Sequence, residues 1–323
     1  MGVSPRSERI ETDGPLLLIH GGAWDIPEAL LGEHRAGLHE ALDAGGDPLH
    51  REERAVAIVT ETVAVLEAHE AFNAGFGAML NQDGAAELDA GVMDGETLEY
   101  GAVMATRQLA HPVRVARQLL TEGEGRVRML AGEGAERFAE AQGIDLVSNA
   151  TLVCSREQER YERLRARAET DHPSRSFLPG LSSFGGGDTV GAVARDASGT
   201  LAAATSTGGT PFKPPGRVGD SPVPGAGFYA DEHVAVSATG WGEAIAAVGL
   251  ARDVRERVRD GASAKTAARR SLSRMHERIE SPGGEGATGG CVVVTPHDAA
   301  YAFTTPRMAR GAVGESTEAE WDV

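Results

Sequence analysis

The segment GGGDTVGAV, residues 185–193, places a threonine where a cut in the chain would create a new N-terminus. A charged stretch rich in Arg, Glu, Ser, Pro and Gly (residues 155–187) precedes it, and strand-like alternation from Thr189 follows. If the Thr189 hydroxyl attacked the carbonyl carbon of Asp188, the peptide would become an ester that water could split. The freed α-amine, with a reference pKa of about 7.7 to 8.0, would then serve the hydroxyl as a general base. Taken alone, Asp-Thr before a strand is more often a turn that enters a sheet, with Asp188 as a turn residue.

Longer motifs around this threonine resemble those of one known family. They are LLLIHGGAW at 16–24, FNAGFGAMLNQDGAAELDAGVMDG at 72–95, YGAVMATRQLAHPVRVARQLL at 100–120, TSTGGTPFKPPGRVGDSPVPGAGFYAD at 205–231 and AVSATGWGE at 235–243. Together with the threonine segment, they closely resemble the plant-type L-asparaginase and isoaspartyl peptidase family of N-terminal-nucleophile hydrolases. The resemblance extends over about residues 16–313, and GRVGDSP, with its spacing from the threonine, is its most specific part.

The resemblance implies a fold, an activity and an assembly. The implied fold is α+β, a four-layer αββα sandwich of the N-terminal-nucleophile hydrolase type, in a single domain over residues 1–323. Self-cleavage between Asp188 and Thr189 would yield an α chain, 1–188, and a β chain, 189–323. The implied reaction hydrolyses the side-chain amide of L-asparagine and of β-aspartyl (isoaspartyl) dipeptides to release L-aspartate, with no cofactor in catalysis. Two αβ units are expected to form an (αβ)2 homodimer.

The same resemblance assigns roles to further polar residues. Thr207 is expected to bond the oxygen and the amine of the nucleophile Thr189, although a β-branched residue at a strand end needs no such role. Thr239 and Gly240 are expected to present a hydroxyl and a backbone N–H to the developing oxyanion, where one donor stabilises the transition state by about 3 to 4 kcal/mol. Asn73 is expected to support the nucleophile. Thr239-Gly240 and Asn73 could equally be simple turn residues.

Arg217 and Asp220 are the expected substrate anchor. A free amino acid carries a carboxylate and an ammonium on one carbon, and a guanidinium fork matches the carboxylate while an aspartate matches the ammonium. The glycine-bounded turn 216–220 lets both side chains converge, and Gly240 and Gly242 are expected to add backbone contacts. The alternative is an internal Arg–Asp pair that stiffens the loop.

The resemblance also implies a structural sodium ion bound by backbone carbonyls. The residues that correspond to its loop are Leu66, Glu67, His69, Phe72, Ala74 and Phe76. His69, Trp24 in the HGGA segment and Asp188 before the threonine depart from the usual residues of the family.

Apolar periodicity predicts the elements that would position these residues. We expect strands at 16–20, 85–93, 98–106, 190–195, 201–206, 234–238, 289–295 and 299–304. Helices are expected at 28–43, 52–69, 112–120, 126–142, 242–260 and 264–279, and residues 156–168 are expected to be an exposed helix or a disordered arm. Strand pairs followed by helix pairs in each half favour two stacked sheets covered by helices.

Composition narrows the partners and the compartment. The net charge of −17 argues against nucleic acid and anionic membranes as partners. No apolar run approaches the roughly 20 residues of a membrane helix, and the polar first residues lack the apolar core of a secretory signal. The two cysteines, Cys154 and Cys291, have no CxxC partner, so neither zinc nor a disulfide framework is expected. We therefore expect a cytoplasmic enzyme that acts on small molecules.

Two alternatives remain open on the sequence. GRVGDSPVPGAGFYAD and DTVGAV are also close to glycosylasparaginase, which acts on an N-linked sugar–asparagine, and Asp188 resembles that family. HGGA, ATGWGE and the lack of a signal peptide favour the asparaginase interpretation instead. The second alternative is an uncleaved protein that binds an amino acid through Arg217 and Asp220 but never frees Thr189.

Overall fold

The computed structural model describes residues 4–10, 14–123, 125–171, 189–281, 284–314 and 317–323. Its helices are α1 (Leu31–His50), α2 (Ala55–Ala68), α3 (Pro112–Glu122), α4 (Glu133–Ala141), α5 (Ser155–Asp171), α6 (Gly242–Val248), α7 (Leu250–Arg259) and α8 (Ala264–Arg278). Its strands are β1 (Arg6–Ile10), β2 (Leu16–Trp24), β3 (Leu88–Asp94), β4 (Tyr100–Thr106), β5 (Met129–Ala131), β6 (Val190–Arg195), β7 (Leu201–Thr207), β8 (Phe228–Ala230), β9 (Ala235–Gly240), β10 (Gly289–Val294), β11 (Ala299–Phe303), β12 (Arg307–Gly314) and β13 (Thr317–Asp322).

The strands form two sheets. The larger sheet has the order β13-β12-β2-β6-β7-β3-β4-β5, and the smaller one has the order β1-β11-β10-β9-β8. The larger sheet contains the series β2, β6, β7 and β3, in which each strand pairs antiparallel with the next. β6 and β7 therefore lie in the middle of this sheet. The register of β6 on β7 pairs Val190 with Ser206, which sets residue 189 opposite residue 207.

Four layers result from the packing of helices on these sheets. α1, α2 and α3 cover the outer face of the larger sheet, while α7 and α8 cover the outer face of the smaller one. The sheets face each other through contacts such as β2 with β10 and β6 with β9. The predicted αββα sandwich is therefore confirmed.

Each interlayer space has its own hydrophobic core. Leu17 and Ile19 of β2 point into the core beneath α1 and α2, whereas Leu16 and Leu18 point into the core between the sheets. Because a strand in a middle layer is buried on both faces, it is a continuous apolar run rather than an alternating one. Leu272 of α8 lies in the third core, against the smaller sheet.

Several predicted elements need correction. The helix expected at 126–142 is wrong over its first part, because Met129–Ala131 forms β5 parallel to β4 and only Glu133–Ala141 is helical. The helix expected at 242–260 is broken at Gly249, whose left-handed φ of 60° ends α6 and begins α7. The polar stretch around residues 156–168 is helical, and its Leu164 is buried.

None of the helices in the described parts of the chain combines the length and the apolar character needed to cross a bilayer.

Candidate active site

Thr189 and Thr207 lie side by side at the same end of the larger sheet. Their side chains are buried, and the Thr189 hydroxyl donates a hydrogen bond to the Thr207 hydroxyl at 3.3 Å. The Thr207 oxygen also accepts the backbone N–H of Gly209 at 2.9 Å. The strand register thus brings together the expected nucleophile and its expected hydroxyl partner.

Asn73 holds the turn that follows β7. Its side-chain amide donates to the Gly209 carbonyl at 2.7 Å, and its backbone carbonyl accepts from Gly208 at 2.9 Å. Its side-chain oxygen accepts the N–H of Met79 at 2.8 Å. Asn73 therefore fixes the backbone whose N–H bonds the Thr207 hydroxyl, one contact away from Thr189.

A buried lysine that was not among the expected site residues lies behind this turn. Lys213 is 2% exposed and donates from Nζ to the Glu87 carbonyl at 2.9 Å. Burial lowers its pKa, which the nearby carboxylate of Asp89 partly offsets. Asp89 is fully buried opposite Thr207 in the β3–β7 ladder, and burial raises its pKa. Lys213 is one of only two lysines in the chain, which is the single sequence signal that could have marked it.

His20 lies beneath Thr189 and was also missed, although it is part of HGGA. Its Nε2 is 2.7 Å from the Ser237 hydroxyl, so this ring joins β2 of the larger sheet to β9 of the smaller one. A Cβ at Gly191 would collide with both groups, so only glycine leaves room for this contact. Burial lowers the pKa of His20 to about 3, and the Thr189 backbone partly opposes that shift. The imidazole is therefore neutral near pH 7.

Thr239 is the last but one residue of β9, at the same edge of the stacked sheets. It follows Ser237 by two positions, and its hydroxyl oxygen accepts the N–H of Ala23, at the end of β2, at 3.3 Å. Gly240, next in the chain, has a φ of 133°, and a Cβ there would lie 2.5 Å from the Cα of Gly289. The expected oxyanion pair thus lies on a tight, glycine-dependent strand end.

Arg217 does not pair with Asp220, which excludes the internal pair considered from the sequence. Instead, Arg217 Nε donates to Glu243 Oε1 at 2.9 Å, and Nη2 is 2.8 Å from the same oxygen. Among the described residues, Nη2 has no well-aligned acceptor and the buried Oδ2 of Asp220 has no donor. Both the guanidinium and the carboxylate therefore have unused hydrogen-bonding capacity.

Gly242 shows where Arg217 and Asp220 converge. A Cβ at Gly242 would lie 2.7 Å from Asp220 Oδ1 and 2.9 Å from Arg217 Nη2. A Cβ at Gly209 would lie 3.2 Å from Arg217 Nη1, and the same Gly209 donates to Thr207. The expected anchor is therefore separated by one residue, Gly209, from the hydroxyl partner of the expected nucleophile.

Asp220 is a buried carboxylate with a raised pKa. Burial raises its pKa to about 7, with Arg217 opposing the rise and Glu243 adding to it. A buried carboxylate that lacks a cationic partner holds its proton more tightly. A substrate ammonium next to Asp220 would supply the missing positive charge.

The loop expected to bind sodium folds tightly around two glycines. A Cβ at Gly75 would collide with the Glu67 carbonyl, and one at Gly77 would collide with the Phe72 carbonyl. Gly75 also has a left-handed φ of 51°. The carbonyls of Leu66, His69 and Ala74 each accept one backbone hydrogen bond and keep a second lone pair. The backbone arrangement is compatible with carbonyl ligation of a monovalent ion.

Asp188, the expected residue on the other side of the cut, lies outside the described residues.

Comparison with known proteins decides the family. A sequence profile described as Asparaginase matches residues 13–321. The chain belongs to the asparaginase family. The chain is 40% identical over 301 residues to a Xenopus laevis protein named isoaspartyl peptidase/L-asparaginase. The match covers 93% of this chain and 92% of the relative.

Two bacterial proteins named isoaspartyl peptidase are also similar to this chain. The Salmonella typhimurium protein is 45% identical over 247 residues, covering 74% of this chain and 77% of its own. The Escherichia coli protein is 40% identical over 306 residues, covering 91% of each. These names favour the isoaspartyl peptidase and asparaginase interpretation over the glycosylasparaginase alternative.

Proposed function

We propose that this chain is a self-activating threonine hydrolase that releases L-aspartate from L-asparagine and β-aspartyl dipeptides. The observation that carries the proposal is the 3.3 Å contact between the Thr189 and Thr207 hydroxyls, with a buried Arg–Asp anchor one residue from Thr207. Two neighbouring threonines alone would not indicate an enzyme, because such pairs are common at strand ends. The adjoining anchor for an amino-acid head group indicates the substrate on which they would act.

Self-cleavage is the first proposed step. The Thr189 oxygen attacks the carbonyl carbon of Asp188, the bond from that carbon to the Thr189 nitrogen breaks, and the hydroxyl proton passes to this nitrogen. The peptide becomes an ester with a free amine on Thr189. Water then hydrolyses the ester, which leaves a carboxylate on Asp188 and restores the Thr189 hydroxyl. The chain becomes an α chain, 1–188, and a β chain, 189–323, that remain one folded domain.

Substrate hydrolysis reuses the same hydroxyl. The freed amine takes the hydroxyl proton, and the Thr189 oxygen attacks the side-chain amide carbon of the substrate. Thr239 and the N–H of Gly240 stabilise the oxyanion, and the proton passes to the departing nitrogen. Ammonia or a peptide amine leaves, and water hydrolyses the aspartyl ester. Every group in this scheme belongs to the chain, so no cofactor takes part.

Arg217, Asp220 and Gly242 supply the specificity. Arg217 binds the α-carboxylate and Asp220 the α-ammonium, while the backbone of Gly242 closes the pocket against both. Because the head group is held by both charges, the scissile amide has to be on the side chain. Asn73 acts indirectly, because it holds Gly209, whose N–H donates to the Thr207 hydroxyl.

A structural sodium ion on the carbonyls of the 66–76 loop is part of the proposal. The crowding of these carbonyls around Gly75 and Gly77 supports it. Thermal unfolding in Na⁺, compared with the same concentration of the larger choline cation, tests it without an activity assay. The transition temperature should be higher in Na⁺, and equal temperatures would contradict the assignment.

An (αβ)2 homodimer in the cytoplasm completes the proposal. Both cysteines are buried and free of disulfides, as is usual in a reducing compartment. Light scattering of the purified protein should give twice the mass of one 33.7 kDa chain.

A side-by-side assay of L-asparagine, β-Asp-Leu, α-Asp-Leu and a sugar-linked asparagine tests the substrate assignment. The first two should be hydrolysed and α-Asp-Leu should not, because its scissile bond involves the carboxylate that Arg217 binds. Preference for α-Asp-Leu would contradict the mechanism. Preference for the sugar conjugate would instead favour a glycosylasparaginase.

A further inference from the structure

Glu243 occupies the binding edge of Arg217. A single carboxylate oxygen accepts from Arg217 Nε at 2.9 Å and lies 2.8 Å from Nη2. A guanidinium offers two parallel N–H groups along that edge, which is the geometry that a carboxylate ligand matches. Here the oxygen is aligned with the Nε–H, and Nη2 is left without a well-aligned acceptor among the described residues. The contact is thus an incomplete version of the one that a bound carboxylate would make.

The two partners differ in how freely they can move. The Arg217 side chain is only 11% exposed, whereas the Glu243 side chain is 46% exposed. Glu243 is at the start of α6, next to Gly242, so a change of rotamer would carry its carboxylate into solvent without moving the backbone. Arg217 has no such freedom, because its Nη1 is packed near Gly209 and Gly219. Of the two groups, Glu243 is the one that can leave.

We propose that Glu243 is an internal competitor for the α-carboxylate of the substrate, holding Arg217 in its binding position while the pocket is empty and leaving when an amino acid enters. This inference rests on the function proposed above and adds a residue that determines specificity. A ligand with a free carboxylate replaces the contact that it breaks with a better one. A ligand that lacks this carboxylate breaks the contact and leaves the largely buried Arg217 unpaired, which weakens binding by roughly 30-fold or more.

Glu243→Gln tests the proposal, because it keeps the size of the side chain and removes the charge. Competition predicts that the KM for β-Asp-Leu and the calorimetric Kd for L-aspartate both fall by about twofold to fivefold, the range for a partly exposed ion pair. If Glu243 instead served only to position Arg217, both constants would rise. An α-carboxamide analogue of β-Asp-Leu gives a further readout, since its disadvantage relative to β-Asp-Leu should be smaller in the variant.

Glu61→Gln is the matched control. Glu61 is 50% exposed and pairs with Arg114 at 2.7 Å on the helical layer, away from the anchor, so both constants should stay at their wild-type values. A rise, or no change, in both constants for Glu243→Gln with an active wild-type enzyme would overturn the inference alone. A wild-type protein that hydrolyses neither asparagine nor β-Asp-Leu would overturn the proposed function with it.

Discussion

The hydroxyl of Thr189 donates to the hydroxyl of Thr207 across 3.3 Å, from the start of β6 to the end of β7. The oxygen that receives this bond also accepts the N–H of Gly209, and the Gly209 carbonyl is held by the Asn73 amide. The proposed nucleophile, its hydroxyl partner and the turn that orients them therefore form one chain of hydrogen bonds. The Arg217 guanidinium adjoins Gly209 at the end of this chain.

Thr207→Val should lower kcat/KM for β-Asp-Leu by about 100-fold or more, the scale for losing a group that assists proton transfer. Valine keeps the shape of threonine but cannot accept a hydrogen bond from Thr189 or from Gly209. Self-cleavage should slow as well, and Thr207→Ser should recover both. Thr60→Val is the control, because the one hydrogen bond of the Thr60 hydroxyl to the described residues is to a carbonyl of its own helix. Normal turnover in Thr207→Val would refute the role of Thr207.

Gly242→Ala should abolish measurable substrate binding while leaving self-cleavage intact. The added Cβ would lie 2.7 Å from Asp220 Oδ1 and 2.9 Å from Arg217 Nη2, inside the pocket for the head group. Cleavage uses groups around Thr189 and should proceed. Gly32→Ala serves as the control, since nothing lies within 4 Å of a Cβ at that exposed helical position. A Gly242→Ala enzyme that binds L-aspartate normally would mean that the pocket lies elsewhere.

Asp220→Asn should remove turnover yet stabilise the fold at neutral and higher pH. The pKa of Asp220 is raised by burial from 3.8 to about 7, so the folded state retains a proton that the unfolded state loses above pH 3.8. The stability of the native protein therefore falls as the pH rises from about 4 to about 7. The asparagine variant escapes this loss, so its advantage should be near zero at acid pH and reach a few kcal/mol above pH 7.

Thermal unfolding of Asp220→Asn in the uncut Thr189→Ala background, scanned over pH, measures this advantage. A difference that is the same at every pH would show that Asp220 has the same pKa in the native and unfolded protein, and would contradict the prediction.

The overall charge of −17 should affect the choice of leaving group. β-Asp-Leu should be a better substrate than β-Asp-Glu at low ionic strength, because the protein repels the additional carboxylate. The ratio of their kcat/KM values should shrink as KCl is raised from about 0.02 M to about 0.5 M at fixed Na⁺, since the Debye length falls below 10 Å. If this ratio did not change with the salt concentration, a local contact rather than the net charge would determine the preference.

The sequence patterns did not predict the strands β1, β8, β12 and β13. The strands that they predicted in the middle of the sheets, among them β2 and β6, are recognisable because they are apolar on both faces. Leu16–Ile19 and Val190–Ala194 are of this kind, and the register between β6 and β7 then follows from the short connection between them. β5 could not be predicted, since Met129–Ala131 fits a helix equally well and becomes a strand only through parallel pairing with β4.

The partners of the site residues were harder to predict than their positions. The pairing of Arg217 with Glu243 depends on how the turn at 216–220 approaches α6, and sequence spacing contains no such information. The same applies to His20, whose bond to Ser237 exists only because the two sheets stack with Gly191 between them. Motifs identified the segments, while three-dimensional packing determined these contacts.

Intact mass spectrometry of freshly purified protein, followed over time alongside hydrolysis of β-Asp-Leu, tests the central claim most directly. We predict that the full-length mass gives way to two fragments, 1–188 and 189–323, and that activity appears in step with the new N-terminal threonine. Thr189→Ala should stay a single inactive chain. A wild-type chain that remains whole after prolonged incubation, or that hydrolyses the dipeptide before any cut appears, would contradict the account.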